Sequence, residues 1–265
     1  MALINCPECG RQVSEIAPTC PGCGYPVAEK LQIEKEEKQE EAERKRVALE
    51  KYLRAEEATR KAEEAERNRN LELMRQGKDF RDSKGTSWRV IDVDTQNKRA
   101  LFITWCCEKT WYQPKYGYTI EGMYYPQLEE EITWENSWIR KWLNSVYLNS
   151  LPEEIWKRVA SVVVKNPGNK LCGTSGGKDT QDRVFLLSID EAKRYFESNV
   201  DRFPKNIELY RYLYGKTLTG WWLRTPGCRP NYAAYVRSDD GSVFDFGCDV
   251  HNDRGGLRPA LWLNL

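Results

Sequence analysis

The sequence predicts an α+β chain in three parts: a small metal-binding unit, a long charged helix and an aromatic-rich globular domain. Four cysteines form two CxxC pairs near the N-terminus. A run of Glu, Lys, Arg, Ala and Gln without Gly or Pro then extends to about residue 76, and all ten tryptophans lie beyond residue 80. These three observations place the predicted boundaries at 1–28, 29–77 and 78–265.

The first part contains two knuckles, Cys6-Pro7-Glu8-Cys9 and Cys20-Pro21-Gly22-Cys23, each followed by glycine. A two-residue spacer lets both thiolates of a pair point at one ion, and the glycine permits the tight turn. Four thiolates leave no coordination position open, so we expect Cys6, Cys9, Cys20 and Cys23 to hold a structural Zn²⁺. The alternative is that the four cysteines form two disulfides, as in a secreted peptide, but the sequence shows no secretion signal. The segment resembles the small zinc ribbons at the N-termini of many bacterial proteins, which implies a role in folding or protein contact.

The second part is predicted to be one long helix that acts as a spacer. Glutamate precedes lysine or arginine by four residues repeatedly, as in Glu34 with Lys38 and Glu57 with Lys61, and each such pair stabilises a helix by about 0.2–0.5 kcal/mol. Apolar residues are too sparse for a sustained a/d seam, so a solvated helix and a weak coiled coil that pairs copies of the chain both stay open. At 1.5 Å per residue the helix would be roughly 70 Å long.

The third part reads as one core of short strands and helices. Trp88–Val93 and Arg99–Trp105 are predicted to pair around a turn, and residues 111–125 are predicted to be a loop. Apolar residues at helical spacing predict the buried side of a helix that starts near Thr133: Trp134, Trp138, Ile139, Trp142, Leu143 and Val146. Val184–Leu187 is predicted to be a buried strand, and Ser188 with Glu191 to cap the next helix.

Composition and cysteine usage limit the classes of partner. The chain has 41 basic and 40 acidic residues, for a net charge of +1, which gives no overall attraction to nucleic acid or an anionic membrane. The first residues lack the features of a signal peptide, and no apolar run approaches the ~20 residues that span a bilayer, so a cytoplasmic location is expected. The five cysteines outside the knuckles are scattered, which predicts free thiols in a reducing compartment.

Four segments carry a family resemblance: residues 134–144, residues 184–188, Trp221-Trp222-Leu223-Arg224 and Gly256-Leu257-Arg258-Pro259-Ala260-Leu261. Over most of residues 80–265 the chain resembles a bacterial and phage domain of unknown function. That domain is similar to the C-type-lectin-like fold of formylglycine-generating enzymes and of variable proteins diversified by retroelements. The resemblance implies that the C-terminal strands and loops form a ligand-binding face and that the closing Gly-x-Arg-Pro-Ala-Leu motif is structural.

Between Leu223 and Leu257 the chain has no Lys, Glu, Gln, Met or Trp. A diversity-generating retroelement randomises adenines in codons such as AAC, and the resulting codons cannot encode those five amino acids. Short strands and turns also disfavour Lys, Glu and Gln. Diversification and an ordinary β-rich C-terminus therefore both stay open.

Residues in this stretch divide into candidate ligand contacts and their supports. The candidate contacts are Cys228, Arg229, Asn231, Tyr232, Arg237, Ser238, Phe244, Asp245, Phe246, Cys248, Asp249, His251, Asn252, Asp253 and Arg254. The predicted supports are Trp222, Leu223, Ala233, Ala234, Val236, Gly241, Val243, Gly247, Val250 and residues 256–263. Tyr, Phe and Arg on a rigid scaffold give contact area at low entropic cost. We therefore expect a non-catalytic protein that binds a protein or other macromolecule at this face.

Three alternatives remain. An enzyme of the formylglycine-generating type would need a cysteine pair, for which Cys228 and Cys248 are the candidates, and the same two thiols with His251 could bind a metal. His251 is the one histidine, which argues against Ser-His-Asp or Cys-His hydrolysis. The acidic residues Asp239, Asp240 and Asp249 are expected to serve turns. In the third alternative the zinc ribbon, acting as part of a regulatory scaffold, contacts the partner.

Overall fold

The computed structural model describes residues 2–105, 108–109, 111–115, 117–120, 123–125, 131–203, 219–252 and 254–265. The chain divides into two units, Met1–Ala65 and Glu66–Leu265. None of the helices within the described ranges has the length and apolar character needed to cross a lipid bilayer.

The first unit begins with an antiparallel hairpin of β1 (Leu3–Asn5) and β2 (Gln12–Ser14), in which Ile4 lies opposite Val13. Its small core consists of Cys6, Val13, Cys20 and Val27. So few apolar side chains cannot offset the conformational entropy of ordering the segment, and domains of this size usually need a metal or disulfides.

Helix α1 extends over Val27–Arg75, close to the predicted bounds. Every residue from 32 to 69 is exposed, and several of the expected ion pairs form, among them Glu40–Arg44 at 3.1 Å and Glu57–Lys61 at 2.7 Å. A helix that is polar on all sides is held by such pairs, not by burial of an apolar side.

The C-terminal end of α1 belongs to the core of the second unit. Met74 is 1% exposed, and Leu71 and Leu73 pack against the same core. Gly77 ends the helix with φ of 63°. The Lys78 amide donates to the Leu73 carbonyl at 2.9 Å and the Gly77 amide to the Met74 carbonyl at 3.0 Å, which is the Schellman arrangement that glycine makes accessible.

The other elements of the second unit are short. Its described strands are β3 (Phe80–Arg81), β4 (Ser87–Asp94), β5 (Arg99–Thr104), β6 (Glu108–Lys109), β7 (Tyr118–Ile120), β8 (Met123–Tyr125), β9 (Val162–Val164), β10 (Thr180–Asp182), β11 (Gly220–Pro226), β12 (Tyr232–Arg237), β13 (Val243–Asp249), β14 (Gly255–Leu257) and β15 (Ala260–Asn264). Its described helices are α2 (Trp138–Trp142), α3 (Leu148–Ser150), α4 (Glu153–Trp156) and α5 (Ile189–Tyr195).

Two sheets form the framework of this unit. The first has the order β15-β5-β4-β3 and is antiparallel throughout, which confirms the predicted pairing of β4 with β5. The second has the order β13-β12-β11-β14-β6, with β11 parallel to β14 and its other pairs antiparallel. Strands β7 and β8 pair within residues 111–125, so the prediction that this stretch is only loop was wrong.

The helix predicted to start near Thr133 starts later, and it is not α-helical throughout. Ser137 is the N-cap, and residues 143–147 form a π-helical turn between α2 and α3. The wider turn shifts the buried side, so Val146 is 40% exposed while Tyr147 and Leu148 are buried. Trp134 lies before the helix, fully buried, and donates its indole N–H to Asp182 at 2.8 Å.

Residues 184–187 are buried as predicted, yet they do not form a regular strand. Phe185 makes one isolated bridge to Ala260. The Asn144 amide oxygen accepts from the backbone N–H groups of Arg183 and Val184 at 2.7 and 3.1 Å, so a side chain replaces a partner strand here. The capping box of Ser188 and Glu191 at α5 is confirmed.

Candidate functional site

The four knuckle cysteines lie together, with their sulfurs within 4.8 Å of one another. Cys6 Sγ lies 3.6 Å from Cys23 Sγ, and Cys9 Sγ 3.7 Å from Cys20 Sγ. Four sulfurs at about 2.3 Å from a central zinc stand about 3.8 Å apart in a tetrahedron. The arrangement therefore fits a tetrahedral thiolate site.

The two knuckles have the same backbone geometry. The amide of Gly10 donates to the Cys6 carbonyl at 2.9 Å, and that of Gly24 to the Cys20 carbonyl at 2.8 Å. Hydrogen bonds from the Gly22 amide, and to a lesser extent from the Cys23 amide and the neighbouring thiols, lower the pKa of Cys20 to about 6. The Tyr25 amide lowers the pKa of Cys23, but burial and the neighbouring thiols raise it to about 12. Four thiolates this close repel one another, so all four ionise together only around a cation.

The candidate ligand contacts separate from their supports by burial. Among the described contacts none is buried: Arg229, Phe246 and Arg254 are exposed and the others half-buried. Among the supports all are buried except Val243 and Trp262, which are half-buried. Asp253 lies outside the described residues.

Aromatic side chains form a row on one side of the β12–β13 hairpin. Trp222, Tyr235 and Phe244 lie opposite one another in register on β11, β12 and β13, so their side chains share a face. The ring centroids of Tyr235 and Phe244 are 5.4 Å apart, and Phe246 lies 6.4 Å from both Phe244 and Tyr232. Because Trp222 is buried beneath Tyr235, the row rests on the core while Phe246 remains 44% exposed.

The two arginines near this row, Arg229 and Arg237, differ in their contacts. The Arg229 guanidinium lies over the Tyr232 ring at 5.1 Å and is exposed. Arg237 instead pairs with Asp239, with Nε 2.9 Å from Oδ1, and this hydrogen bond lowers the pKa of Asp239 to about 2. Asp240 accepts from the Ser242 amide at 2.9 Å. The acidic pair therefore serves the turn, as the sequence predicts.

The loop after β13 is organised by Asp249. Its carboxylate accepts from the His251 amide at 2.9 Å and from the Asn231 side chain at 3.2 Å. His251 Nδ1 lies 2.9 Å from the Gln113 carbonyl, and the Asn252 amide donates to the Cys248 sulfur at 3.2 Å. These side chains hold one another in place beside the aromatic row.

Cys228 is not a free thiol: it forms a disulfide with Cys172, with Cα atoms 5.2 Å apart. The prediction of free thiols for all the scattered cysteines was wrong for this pair, and Cys228 is not paired with Cys248. The disulfide also occupies a thiol of the alternative metal site with Cys248 and His251. Within the described residues the knuckle cysteines are the one group of three or more potential metal ligands.

The disulfide forms because residues 166–177 fold back onto the turn between β11 and β12. Asn169, which is 2% exposed, donates to the carbonyls of Pro226 at 2.8 Å and Asp245 at 2.7 Å. The Thr174 hydroxyl donates to the Gly227 carbonyl at 2.7 Å. The sequence does not signal this support, because the Gly, Asn and Lys content of residues 166–180 predicts only a flexible loop.

Two buried arginines explain two of the sequence motifs. Arg224, 2% exposed, binds the Glu191 carboxylate at 2.7 Å, the Lys165 carbonyl at 2.8 Å and the Leu186 carbonyl at 2.7 Å. Arg258, fully buried, donates to the Thr104 carbonyl at 2.9 Å and packs on Trp221 with 5.1 Å to the ring centroid. Both join segments that are distant in sequence, which supports a structural role for the closing motif.

Fold and site together define a chain with an N-terminal four-cysteine metal site, a long helix and an α+β domain. A family model for the zinc-ribbon domain matches residues 5–27, so the four-thiolate cluster indicates a bound metal ion and points to zinc. The chain belongs to the family described as Domain of unknown function (DUF6273), whose model matches residues 115–265. No curated protein and no solved structure matches the chain.

Proposed function

We propose that the second unit is a non-catalytic recognition domain of the C-type-lectin-like kind, which binds a protein or other macromolecule on the β12–β13 side of its second sheet. The carrying observation is the aromatic row of Tyr232, Tyr235, Phe244 and Phe246. These rings are partly exposed, and each contacts a neighbour in the row, through one edge contact and two tilted contacts. Tyr235 also packs against buried Trp222.

Such a row meets the physical requirements of a protein-binding surface. Large aromatic side chains with few rotatable bonds, held by their neighbours, lose little entropy on binding and supply apolar contact area. Arg229 at one end adds a cation and hydrogen-bond donors at the rim. A ligand with apolar side chains and an acidic or carbonyl-rich edge fits this surface.

Diversification of this face is part of the proposal. If exposed strand and turn positions simply disfavoured Lys and Gln, the same unit would lack them elsewhere. It does not, because Gln96 and Lys98 are exposed in the β4–β5 turn, Lys165 follows β9 and Gln181 is exposed on β10. The absence of these residues from 224–256 is therefore specific to that segment, which favours the codon constraint of a retroelement.

Binding can be tested with a ligand selected from a displayed proteome-fragment library. Phe246→Ala and Tyr232→Ala should each weaken binding by at least about tenfold, the loss of ~1.4 kcal/mol or more that hot-spot aromatics give. Trp156→Ala is the matched control and should leave the affinity unchanged, since Trp156 is 41% exposed on the same unit and lies outside the row. Equal affinity of wild type and both row variants would refute the proposed face.

Diversification can be tested in the DNA downstream of the coding sequence. A near-copy of the 3′ end that differs at adenines, beside a reverse transcriptase, supports it. A locus without such a copy refutes this part of the proposal and leaves the binding face to be judged by the variants above.

A second candidate is that the zinc ribbon makes the principal protein contact. Leu3 is 65% and Ile16 is 63% exposed in the first unit, so two large apolar side chains are accessible to a partner there. If the zinc ribbon makes the principal contact, the double variant Leu3→Ser/Ile16→Ser should abolish capture of the selected ligand. Phe246→Ala should then leave capture unchanged.

A further inference from the structure

The second unit has a charged groove that shares no residue with the aromatic row. The groove, about 660 Å³ in volume, lies between the last turns of α1 and the α4 segment, and Arg67, Leu71 and Arg75 line it on the α1 side. Pockets for small molecules are lined mostly by apolar side chains, whereas Leu71 is the one apolar side chain among the described residues that line this groove. The groove therefore suits a charged segment of a macromolecule.

The α1 side of the groove has a regular spacing. Arg67, Leu71 and Arg75 are four residues apart, so they follow one another along one side of the helix. At 1.5 Å per residue they span about 12 Å. Leu71 is half-buried against the core, and its accessible part lies between the two arginines. A ligand can therefore contact an apolar surface and a cation that are about one helical turn apart.

The acidic side chains of the groove are engaged within the chain. Glu153 pairs with Lys157, and the hydrogen bond and charge of Lys157, with a smaller contribution from Arg67, lower the pKa of Glu153. Glu154 accepts a hydrogen bond from the Ser83 amide at 3.1 Å. The charges at the Arg67 end of the groove are thus balanced by the protein itself.

The other end of the groove is basic. Arg158 donates to the Asn264 carbonyl at 3.3 Å, and the Asn264 amide donates to the Arg158 carbonyl at 3.0 Å. The next residue, Leu265, places its side chain against Gly77, just beyond the end of α1. Arg158 therefore lies towards the end of the groove that carries Arg75.

The two arginines at this end lack a close carboxylate among the described residues. Arg75 lies 3.9 Å from Glu72, at the limit of an ion pair, and the two side chains are 53% and 58% exposed. The Arg158 guanidinium binds a neutral carbonyl. Guanidinium groups bind carboxylates through paired, charge-assisted hydrogen bonds. This end of the groove can therefore accept carboxylates from a ligand.

We propose that this groove binds an acidic peptide segment of a partner protein, with carboxylates at the Arg75–Arg158 end and an apolar side chain on Leu71. A nucleic acid fits less well, because its phosphates repeat along the whole strand and some would lie beside Glu153 and Glu154. Because the contacts are charged and solvent-accessible, the complex should weaken as salt is raised from about 0.05 M to about 0.5 M.

The first test measures binding of labelled peptides to the full chain by fluorescence anisotropy. One peptide carries two adjacent glutamates and a leucine four residues away, which matches the spacing of Arg75 and Leu71, and its counterpart has glutamines in place of the glutamates. The glutamate peptide should bind at least about tenfold more tightly at about 0.05 M salt. Equal affinity of the two peptides, or no binding of the glutamate peptide, would overturn the proposal.

The second test reverses the charge of the groove. The double variant Arg75→Glu/Arg158→Glu should bind the glutamate peptide at least about tenfold more weakly, and it should bind a peptide with lysines in place of the glutamates more tightly than wild type does. The matched control is Lys98→Glu/Arg194→Glu, which makes the same change of net charge at exposed positions outside the groove. It should alter the affinity by less than about twofold. Melting temperatures check that both variants fold.

Two further outcomes separate the alternatives. An equal loss of affinity in both double variants would mean that net charge alone drives binding, and the groove would then not be the site. A single-stranded oligonucleotide that competes as well as the glutamate peptide would make the groove a general polyanion surface and refute its assignment to a peptide. Phe246→Ala should leave binding of the glutamate peptide unchanged, so the groove and the aromatic row are tested separately.

Discussion

Replacing Arg224 by Met should destabilise the second unit by about 3–5 kcal/mol, the range for breaking a buried ion pair. The guanidinium has five hydrogen bonds in the interior: two to Glu191, two to the Lys165 carbonyl and one to the Leu186 carbonyl. Methionine keeps the volume, so the loss is polar and not a cavity. Leu186 is fully buried, and its carbonyl left without a donor costs about 1–3 kcal/mol. Glu191 is 29% exposed, so it regains only part of its hydration.

The assay is urea unfolding of the full chain, followed by tryptophan fluorescence, with calorimetry as a second measure. At ~2–4 °C per kcal/mol for a unit of this size, the melting temperature should fall by at least about 6 °C. Glu191→Gln keeps an oxygen acceptor and should cost less, about 1–2 kcal/mol. The matched control is Lys170→Met, which removes an exposed ion pair with Asp190 and should cost at most about 1 kcal/mol. If the Arg224 and Lys170 variants prove equally stable, Arg224 is not an interior support.

Three further predictions concern the other linkages. Cys20→Ser, or removal of metal by a chelator, should unfold the zinc ribbon, residues 5–27, and abolish the expected single bound zinc per chain, as read by NMR and metal analysis; a folded metal-free ribbon would contradict this. Reduction of the Cys172–Cys228 disulfide, which closes a loop of 56 residues, should lower stability by at most about 4 kcal/mol, measured by unfolding with and without reductant. The pKa of Asp239 is lowered from 3.8 to about 2 by Arg237, so its ion pair stabilises the hairpin above pH 3.8 and is lost as the pH falls towards 2. An NMR titration midpoint of the Asp239 carboxyl at or above 3.8 would contradict that pairing.

The elements that the sequence predicts well are those encoded by neighbouring residues. The spacing of the four cysteines, the i,i+4 pairs of α1, the capping box at Ser188 and the β4–β5 hairpin each depend on residues within one turn or one hairpin of each other. In such cases the same few neighbouring positions determine both the side-chain contacts and the backbone geometry, so the element can be predicted from local sequence.

The elements that were missed depend on contacts between distant residues. The π-helical turn at 143–147 shifts which side chains are buried, and a regular helical period cannot anticipate it. The Asn144 side chain replaces a strand partner at residues 183–184. Neither local spacing nor composition signals that Asn144 lies next to these residues.

The Cys172–Cys228 disulfide raises the question of whether residue 228 is a candidate ligand contact or a structural support. The loop that carries Cys172 is already anchored by Asn169 and Thr174, which bind backbone carbonyls of Pro226, Asp245 and Gly227. Backbone contacts do not depend on the side chain at 228. If position 228 is diversified, the Cys228→Ser variant should keep the fold and the Asn169 contacts. It should lose only the stability that closure of the loop by the disulfide provides. If Cys228→Ser instead releases residues 166–177 in a hydrogen-exchange measurement, Cys228 belongs to the framework, and the diversified set must begin at Arg229.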